Sequence, residues 1–377
     1  MAVSHFQHQL PPLPQDEILD IRSSNVSLLH NLDSKVLEGL TQPHGDKILP
    51  TLLLWDEKGQ LMYGDILATQ HYYPYQAEEE LFQQQVDDIA HTVASSGPDM
   101  VIELGAGDMT KTARLLSALD NALTYPLVYY ALDVDQALLE RSFAMLKKRI
   151  TLRHITLRGL LGTYEDSARW LSSPDVAAYR KTMVFLGSSI CNDDQDEAIK
   201  FLSSYTRSPE TGVAQNVAGF LLAVDGCQDA AQIEAAYDVP GGASRRWVKH
   251  ALEAARDLLG GGADDAADVN HIFDDDNWRF EGGWQPERQR YQNYLVPVRS
   301  LTGTIRGQRV SLAEGERVAS ISSGKWAQET VNKICSKSGL KIQTSWKNSD
   351  VDYRIYWLQP ALRRHDSGID IPEFDDE

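Results

Sequence analysis

The run Val101-Ile-Glu-Leu-Gly-Ala-Gly-Asp108, continued by Met-Thr-Lys-Thr112, constrains the fold of this chain more than any other stretch. An apolar segment ending in an acid and two glycines one residue apart describes a strand entering a tight turn. Glycine takes backbone dihedrals closed to other residues and lets a ligand approach the main chain. The residues that follow, up to about Leu119, suit a helix whose N-terminal amides face whatever occupies the turn. Strand, glycine turn and helix in that order form the nucleotide-binding corner of a doubly wound α/β sheet.

The choice of nucleotide rests on charge. A dinucleotide corner carries a third glycine and seats a pyrophosphate on the helix N-terminus. Here Thr110 stands at the third glycine position, and Asp108 would oppose the phosphates. Carboxylates such as Glu103 and Asp108 suit a cation, and S-adenosylmethionine carries an ammonium and a sulfonium without a phosphate. Asp133 closes the apolar run Leu127-Val-Tyr-Tyr-Ala-Leu-Asp133, which reads as the second strand. A carboxylate there is placed to accept both ribose hydroxyls. The same acids also have plain structural readings, Glu103 and Asp133 as strand-end acids and Asp108 as a helix N-cap.

With 377 residues the chain is long enough for one large or two interleaved domains. Its formal charge of −18 repels nucleic-acid phosphates and anionic lipid, so a small-molecule partner is expected. No run is apolar and long enough to span a bilayer. Residues 1–14, with Pro11, Pro12 and Pro14, lack the pattern of a signal peptide and read as a disordered leader on a cytoplasmic protein. Cys191, Cys227 and Cys335 are far apart and form neither a disulfide framework nor a metal-ligand pattern, and no metal is expected. Acids at 263–268 and 274–276, beside Gly260-Gly-Gly262, read as a solvated loop, residues 363–377 as an acidic tail, and the Asn25-Val-Ser27 sequon carries little meaning in a cytoplasmic chain.

Short apolar runs at 100–104, 127–134, 154–160, 182–186 and 219–225 alternate with helical stretches, the pattern of a parallel sheet. Beyond Asp225 the alternation stops. Ala230 to Tyr237 reads as a helix, Pro240-Gly-Gly242 as a break, and Trp247, Ala251, Ala254 and Leu258 stripe a second helix. Residues 340–346 and 353–359 flank Lys347-Asn-Ser-Asp350 as a terminal β-hairpin that supplies an antiparallel edge. The expected architecture is a Rossmann-like methyltransferase sheet from 75–225 and 324–362, with a smaller substrate-binding domain from 15–74 and 226–323.

Taken together the motifs resemble one family, the S-adenosylmethionine-dependent histidine-specific methyltransferases, whose fungal branch includes dimethylallyltryptophan N-methyltransferases. The resemblance runs from about Ile18 to Gln359. It is carried by Ile18-Leu-Asp-Ile-Arg22, Leu49-Pro-Thr-Leu-Leu-Leu-Trp-Asp56, His71-Tyr-Tyr-Pro74, Glu103-Leu-Gly-Ala-Gly107 with Lys111, Gly162-Thr-Tyr-Glu165, Gly187-Ser-Ser-Ile-Cys-Asn192 and Ala236-Tyr-Asp238. The resemblance implies a class I methyltransferase fold in which Gly105, Gly107 and Lys111 hold the methionine part of the cofactor. It further implies Asp133 on the ribose, Gly162, Thr163 and Tyr164 at the adenine edge, and Gly187 among the cofactor-binding residues. Tyr72, Asn192 and Tyr237 are implied as the residues that hold the substrate's amino-acid head, with Tyr72 or water taking the proton.

Three positions depart from the histidine-methylating members. Trp55 stands where they have tyrosine, Ile321 where they have the glutamate that binds imidazole, with Ser323 at the nearby serine, and Cys191 is a larger residue where a glycine is usual. An apolar residue cannot pair with an imidazole N–H, and an unpaired buried polar group costs about 1–3 kcal/mol. The expected activity is therefore N-methylation of the α-amine of a tryptophan- or indole-derived amino acid in secondary metabolism. The alternatives are histidine Nα-methylation of the ergothioneine type and a cofactor-binding subunit without activity.

Overall fold

The computed structural model describes residues 13, 17–23, 31–238, 242–260, 265–361, 363–364 and 370–371. The leader apart from Leu13, the Asn25 sequon, the break at 239–241, the glycine-rich loop at 261–264 and most of the acidic tail lie outside the described residues. Strand β1 (Ile18–Asp20) precedes helices α1 (Leu32–Thr41), α2 (Glu57–Leu67) and α3 (Tyr73–Ser95). Strict alternation follows: β2 (Met100–Leu104), α4 (Thr110–Ala122), β3 (Leu127–Asp133), α5 (Gln136–Arg149), β4 (Ile155–Leu161), α6 (Tyr164–Trp170), β5 (Lys181–Phe185), α7 (Gln195–Thr206) and β6 (Val217–Asp225). Helices α8 (Ala230–Tyr237), α9 (Ala243–Leu259) and α10 (Ala266–Ile272) lead to strands β7 (Trp278–Gln285), β8 (Arg290–Pro297), β9 (Leu301–Ile305), β10 (Gln308–Leu312) and β11 (Val318–Gly324). Helix α11 (Gln328–Lys337) then feeds the hairpin β12 (Leu340–Lys347) and β13 (Tyr353–Pro360).

The central sheet runs β1-β4-β3-β2-β5-β6-β13-β12. The first six are parallel, and the terminal hairpin adds the antiparallel edge, β13 against β6. Strands β2, β5 and β6 are buried along their whole length, which is why they read as largely apolar runs rather than as alternating ones. The chain steps outward from β2 through β3 and β4, then returns to place β5 on the other side of β2. That reversal opens a crevice at the carboxyl ends of β2 and β5, where an open α/β sheet binds its ligand.

One core, around Phe82, Leu115, Tyr129 and Trp357, fills one face of the sheet, and another, around Ile102, Leu160, Leu202 and Phe220, fills the opposite face. A third core lies apart from the sheet. It joins Val36 of α1, Leu54, Trp247 and Leu252 of α9, and Leu295 and Ile305 of β8 and β9. Residues before α3 and after α8 thus share an apolar cluster of their own.

Two sequence expectations change. The range 15–74 is expected in the substrate-binding domain, yet Ile18–Asp20 pairs with β4 as a parallel edge strand of the central sheet. Its three residues are too short a run to be told from a loop by pattern. The region 278–324 carries a three-stranded antiparallel sheet, β11-β8-β7, and the β9-β10 hairpin, neither of which was assigned from sequence. Gly282 and Gly283 interrupt β7, and β8 is buried almost throughout, so neither shows a period of two.

Gly219, inside β6, has no room for a side chain: a Cβ there would lie 2.5 Å from the Trp357 ring and 2.7 Å from the Leu358 carbonyl oxygen. Gly219→Ala is expected to destabilise the fold by about 1–3 kcal/mol through overpacking. Urea unfolding should show a lower midpoint with an unchanged slope.

Candidate active site

The glycine corner is built as the sequence implies. Gly105 and Gly107 both have positive φ, +69° and +57°. The N–H groups of Gly105 and Ala106 donate to the Leu132 carbonyl at 3.1 and 3.0 Å, which fastens the turn to the end of β3. At that end the Asp133 carboxylate accepts from the N–H groups of Gly107 (3.1 Å), Val134 (2.7 Å) and Asp135 (3.1 Å). Three backbone donors hold it rigid, while burial raises its pKa. The Gly162 N–H donates to the Asp133 carbonyl at 3.1 Å, and Thr163 caps α6 in a reciprocal box with Asp166. That cap sets the Tyr164 hydroxyl over Gly105, 2.7 Å from where a Cβ would be. Beside Gly107 a Cβ would meet nothing within 4 Å, so the corner is open there.

Two acids take other parts than expected. Glu103 stands behind the turn: both carboxylate oxygens accept from the Thr112 hydroxyl, at 2.8 and 2.9 Å, and one accepts from Tyr129 at 3.2 Å. It joins β2, β3 and α4 rather than lining the open face, and burial pushes its pKa up to about 7. Asp108 is not the helix cap, since Met109 occupies that position in the left-handed conformation; Asp108 accepts from the Thr110 N–H at 3.0 Å.

Lys111 is ion-paired with Glu78, whose side chain is fully buried. The other Glu78 oxygen accepts from the Gly187 N–H at 2.7 Å and the Tyr353 hydroxyl at 2.8 Å. Glu78 therefore fastens the lysine of α4 to the glycine that follows β5. It sits in the run Glu78-Glu-Glu80, where nothing local separates a buried acid from two solvated ones.

Every candidate substrate residue lines one pocket. Trp55, Tyr72, Asn192, Tyr237, Ile321 and Ser323 meet there, with Gly187 on the cofactor side. They come from five separate segments. Trp55 lies edge-on to Tyr63 (5.1 Å) and Trp247 (5.3 Å), Tyr72 lies edge-on to Tyr237 (5.6 Å), and Tyr237 stacks on Tyr291 (5.1 Å). The Tyr237 hydroxyl is 3.0 Å from that of Ser323. Asn192 ends a short 3-10 turn, Ser189–Asn192, entered through Gly187 (φ +72°) and Ser188 (φ +57°). The Ser322 hydroxyl donates to the Asn192 carbonyl at 2.9 Å and pins β11 to that turn.

Sequence reasoning did not single out Tyr63, Asn293 or Lys325, all of which also line the pocket. Lys325 lay in plain view inside Ile321-Ser-Ser-Gly-Lys-Trp326. The Cys191 side chain is buried in the core, and burial pushes its thiol up to about 12. Burial also raises Tyr72 well above its ordinary pKa, and the neighbouring Tyr237 adds to this. The phenol is thereby held in its neutral, hydrogen-bonding form.

An open glycine corner beside a backbone-anchored carboxylate fits S-adenosylmethionine, which needs acceptors for ribose hydroxyls and no phosphate cradle. Residues 32–360 match the family model of the S-adenosylmethionine-dependent histidine-specific methyltransferases. The chain belongs to this family. Among its relatives is the N-methyltransferase imqF of Aspergillus flavus, 34% identical over 346 residues that cover 91% of this chain and 88% of that protein. The 4-dimethylallyltryptophan N-methyltransferase easF of Claviceps purpurea is 28% identical, covering 93% of this chain and 100% of its own length. The ergothioneine biosynthesis protein 1 of Neurospora crassa is 30% identical over 93% of this chain and 38% of that protein. This methyltransferase is thus an enzyme that uses S-adenosylmethionine for N-methylation, on a class I sheet with additional antiparallel strands. Among the described residues no helix is long and apolar enough to cross a membrane.

The elevated Glu103 gives a pH signature. A carboxyl whose folded pKa lies above its unfolded value favours the fold when protonated, so its contribution is complete below about pH 4.5 and lost as pH rises to about 7. Glu103→Gln, which keeps an acceptor for Thr112, should gain stability over the parent enzyme as pH rises through that window, by up to about 3 kcal/mol. Denaturant midpoints at pH 4.5, 6 and 8 check this: a stability difference that stays flat across the three would contradict it.

Proposed function

We propose that this enzyme methylates the α-amine of tryptophan or an indole-bearing derivative in secondary metabolism. The observation that carries the reading is the joint placement of Ile321 and Trp55 in the pocket that also contains Tyr72, Asn192 and Tyr237. Ile321 is 7% exposed, and its place offers an apolar wall where an imidazole would need a carboxylate. Trp55, backed by Tyr63 and Trp247, adds a flat aromatic wall suited to stacking on an indole. The dimethylallyltryptophan relative supports an indole substrate, and the ergothioneine relative supports histidine as the competing one.

In this reading the cofactor brings an electrophilic methyl group on a sulfonium. The chain's own residues then have to position. Asp133 accepts the ribose hydroxyls, Gly162 to Tyr164 border the adenine, and Gly105, Gly107, Gly187 and Lys111 border the methionine part. Tyr72, Asn192 and Tyr237 orient the amino-acid head so that the amine lone pair faces the methyl group. Alignment of two bound reactants supplies most of the rate in such a displacement, and with Tyr72 held neutral the amine proton leaves to water.

Asp133→Ala removes the ribose acceptor and should weaken S-adenosylmethionine binding by about 10- to 100-fold. Calorimetry that finds unchanged affinity would overturn the assignment of Asp133.

Substrate choice is read by competition. With equal tryptophan and histidine and limiting enzyme, mass spectrometry should show methyltryptophan as the main product. Ile321→Glu should shift the ratio toward histidine by about 10-fold or more. Faster turnover of histidine by the unmodified enzyme would refute the indole reading and leave N-methylation in place.

A further inference from the structure

Lys325 is an unusual lysine to find beside a substrate pocket. Its side chain is 1% exposed and its ammonium lies 2.8 Å from the Asp225 carboxylate, itself fully buried. It also donates to the Tyr237 hydroxyl at 2.9 Å and the Ser323 hydroxyl at 3.0 Å. An ammonium has three N–H donors and no acceptor. Two of them go to the hydroxyls, and the charge is balanced by the carboxylate.

The consequence concerns the direction of the remaining protons. Asp225 has other partners as well: the Tyr73 hydroxyl donates to the oxygen that faces Lys325 (2.8 Å) and the Cys227 N–H to the other oxygen (3.0 Å). The oxygens of Tyr237 and Ser323 each accept from Lys325 and stand 3.0 Å apart. The Tyr72 hydroxyl also donates to Tyr237, so Tyr237 donates to Ser323 and the Ser323 proton is the one left without a protein acceptor in this cluster. It points to the pocket that both residues line. A wall that can only donate, backed by a cation, recognises an anion.

We propose that Lys325 is a positioning residue that fixes the Tyr237–Ser323 pair as a donor to the substrate's α-carboxylate, and so makes the enzyme select amino acids over the corresponding amines. The proposal rests on the pocket being the amino-acid site, and it does not depend on which aromatic side chain the substrate bears. Asp225 balances the ammonium and holds it at the pocket wall. Without the cation, Tyr237 and Ser323 can rotate their protons onto each other or onto the vacated carboxylate, and the preference for an anion falls.

The test compares each amino acid with its decarboxylated partner: tryptophan with tryptamine, and histidine with histamine. Steady-state methylation and calorimetric binding in the presence of S-adenosylhomocysteine give the ratio for each pair. The parent enzyme should favour the carboxylate-bearing member of its better pair by about 10- to 100-fold. Lys325→Met combined with Asp225→Asn, which leaves no unpaired buried charge, should lose most of that ratio, the amino acid's kcat/KM falling further than the amine's and mainly through KM. Tyr237→Phe keeps the Lys325–Asp225 pair and should lose the ratio as well. Unchanged S-adenosylhomocysteine affinity in each variant reports an intact fold. Equal losses for amino acid and amine, or a parent enzyme with no preference for the carboxylate, would overturn the proposal. A preference seen only within the histidine pair would refute the indole reading and support Lys325 in the same role.

Discussion

The buried pair of Lys325 and Asp225 is the contact on which the rest of the active site depends. Asp225 ends β6, the strand that joins the parallel sheet to its antiparallel hairpin, and Lys325 follows β11 on the substrate side. The Trp326 N–H donates to the Asp225 carbonyl at 2.8 Å, so backbone and side chain clasp the same two points. Desolvating two charges offsets much of their attraction, and a buried pair is weak evidence for added stability. Its effect is on register. Removing one partner alone leaves an uncompensated charge, at about 3–5 kcal/mol, so the strand ends are held at a set distance.

Glu78 does the same on the cofactor side. One carboxylate ties α3, α4, the turn after β5 and β13 through Lys111, Gly187 and Tyr353. The two anchors stand on either side of the Ser189–Asn192 turn, which the cofactor corner and the substrate pocket share. A displacement between methyl donor and acceptor tolerates little misplacement. Two buried, partnered carboxylates, Asp225 at the end of β6 and Glu78 on α3, provide that rigidity.

In the proposed reading, substrate selection sits on apolar and aromatic surface. Ile321 lies on the antiparallel sheet and Trp55 follows the Thr51–Leu54 turn, both in the third core, while Tyr72 and Tyr237 also pack around Tyr73, Ile233 and Tyr291 and Asn192 ends the turn after β5. The side-chain end of the pocket can therefore vary among relatives without disturbing the end where the amine and methyl group meet.

The sequence by itself determined the parallel sheet, its glycine corner, the strand-end carboxylate of Asp133 and the terminal hairpin, because each is a local pattern: a buried strand is an apolar run and a tight turn needs glycine. The motifs also named Tyr72, Asn192, Tyr237, Trp55, Ile321 and Ser323, and the structure gathers them into one pocket. Tertiary structure alone decided which polar groups face inward. Glu78 looks like its neighbours Glu79 and Glu80, Lys325 like any lysine after a strand, and Glu103 like a ligand acid until Thr112 and Tyr129 close over it. The partners lie 33 residues away for Glu78 and Lys111, and 88 for Lys325 and Tyr237. Hydrogen bonds across such separations leave no period in the chain, and burial of a charge becomes visible only when the element that covers it is in place.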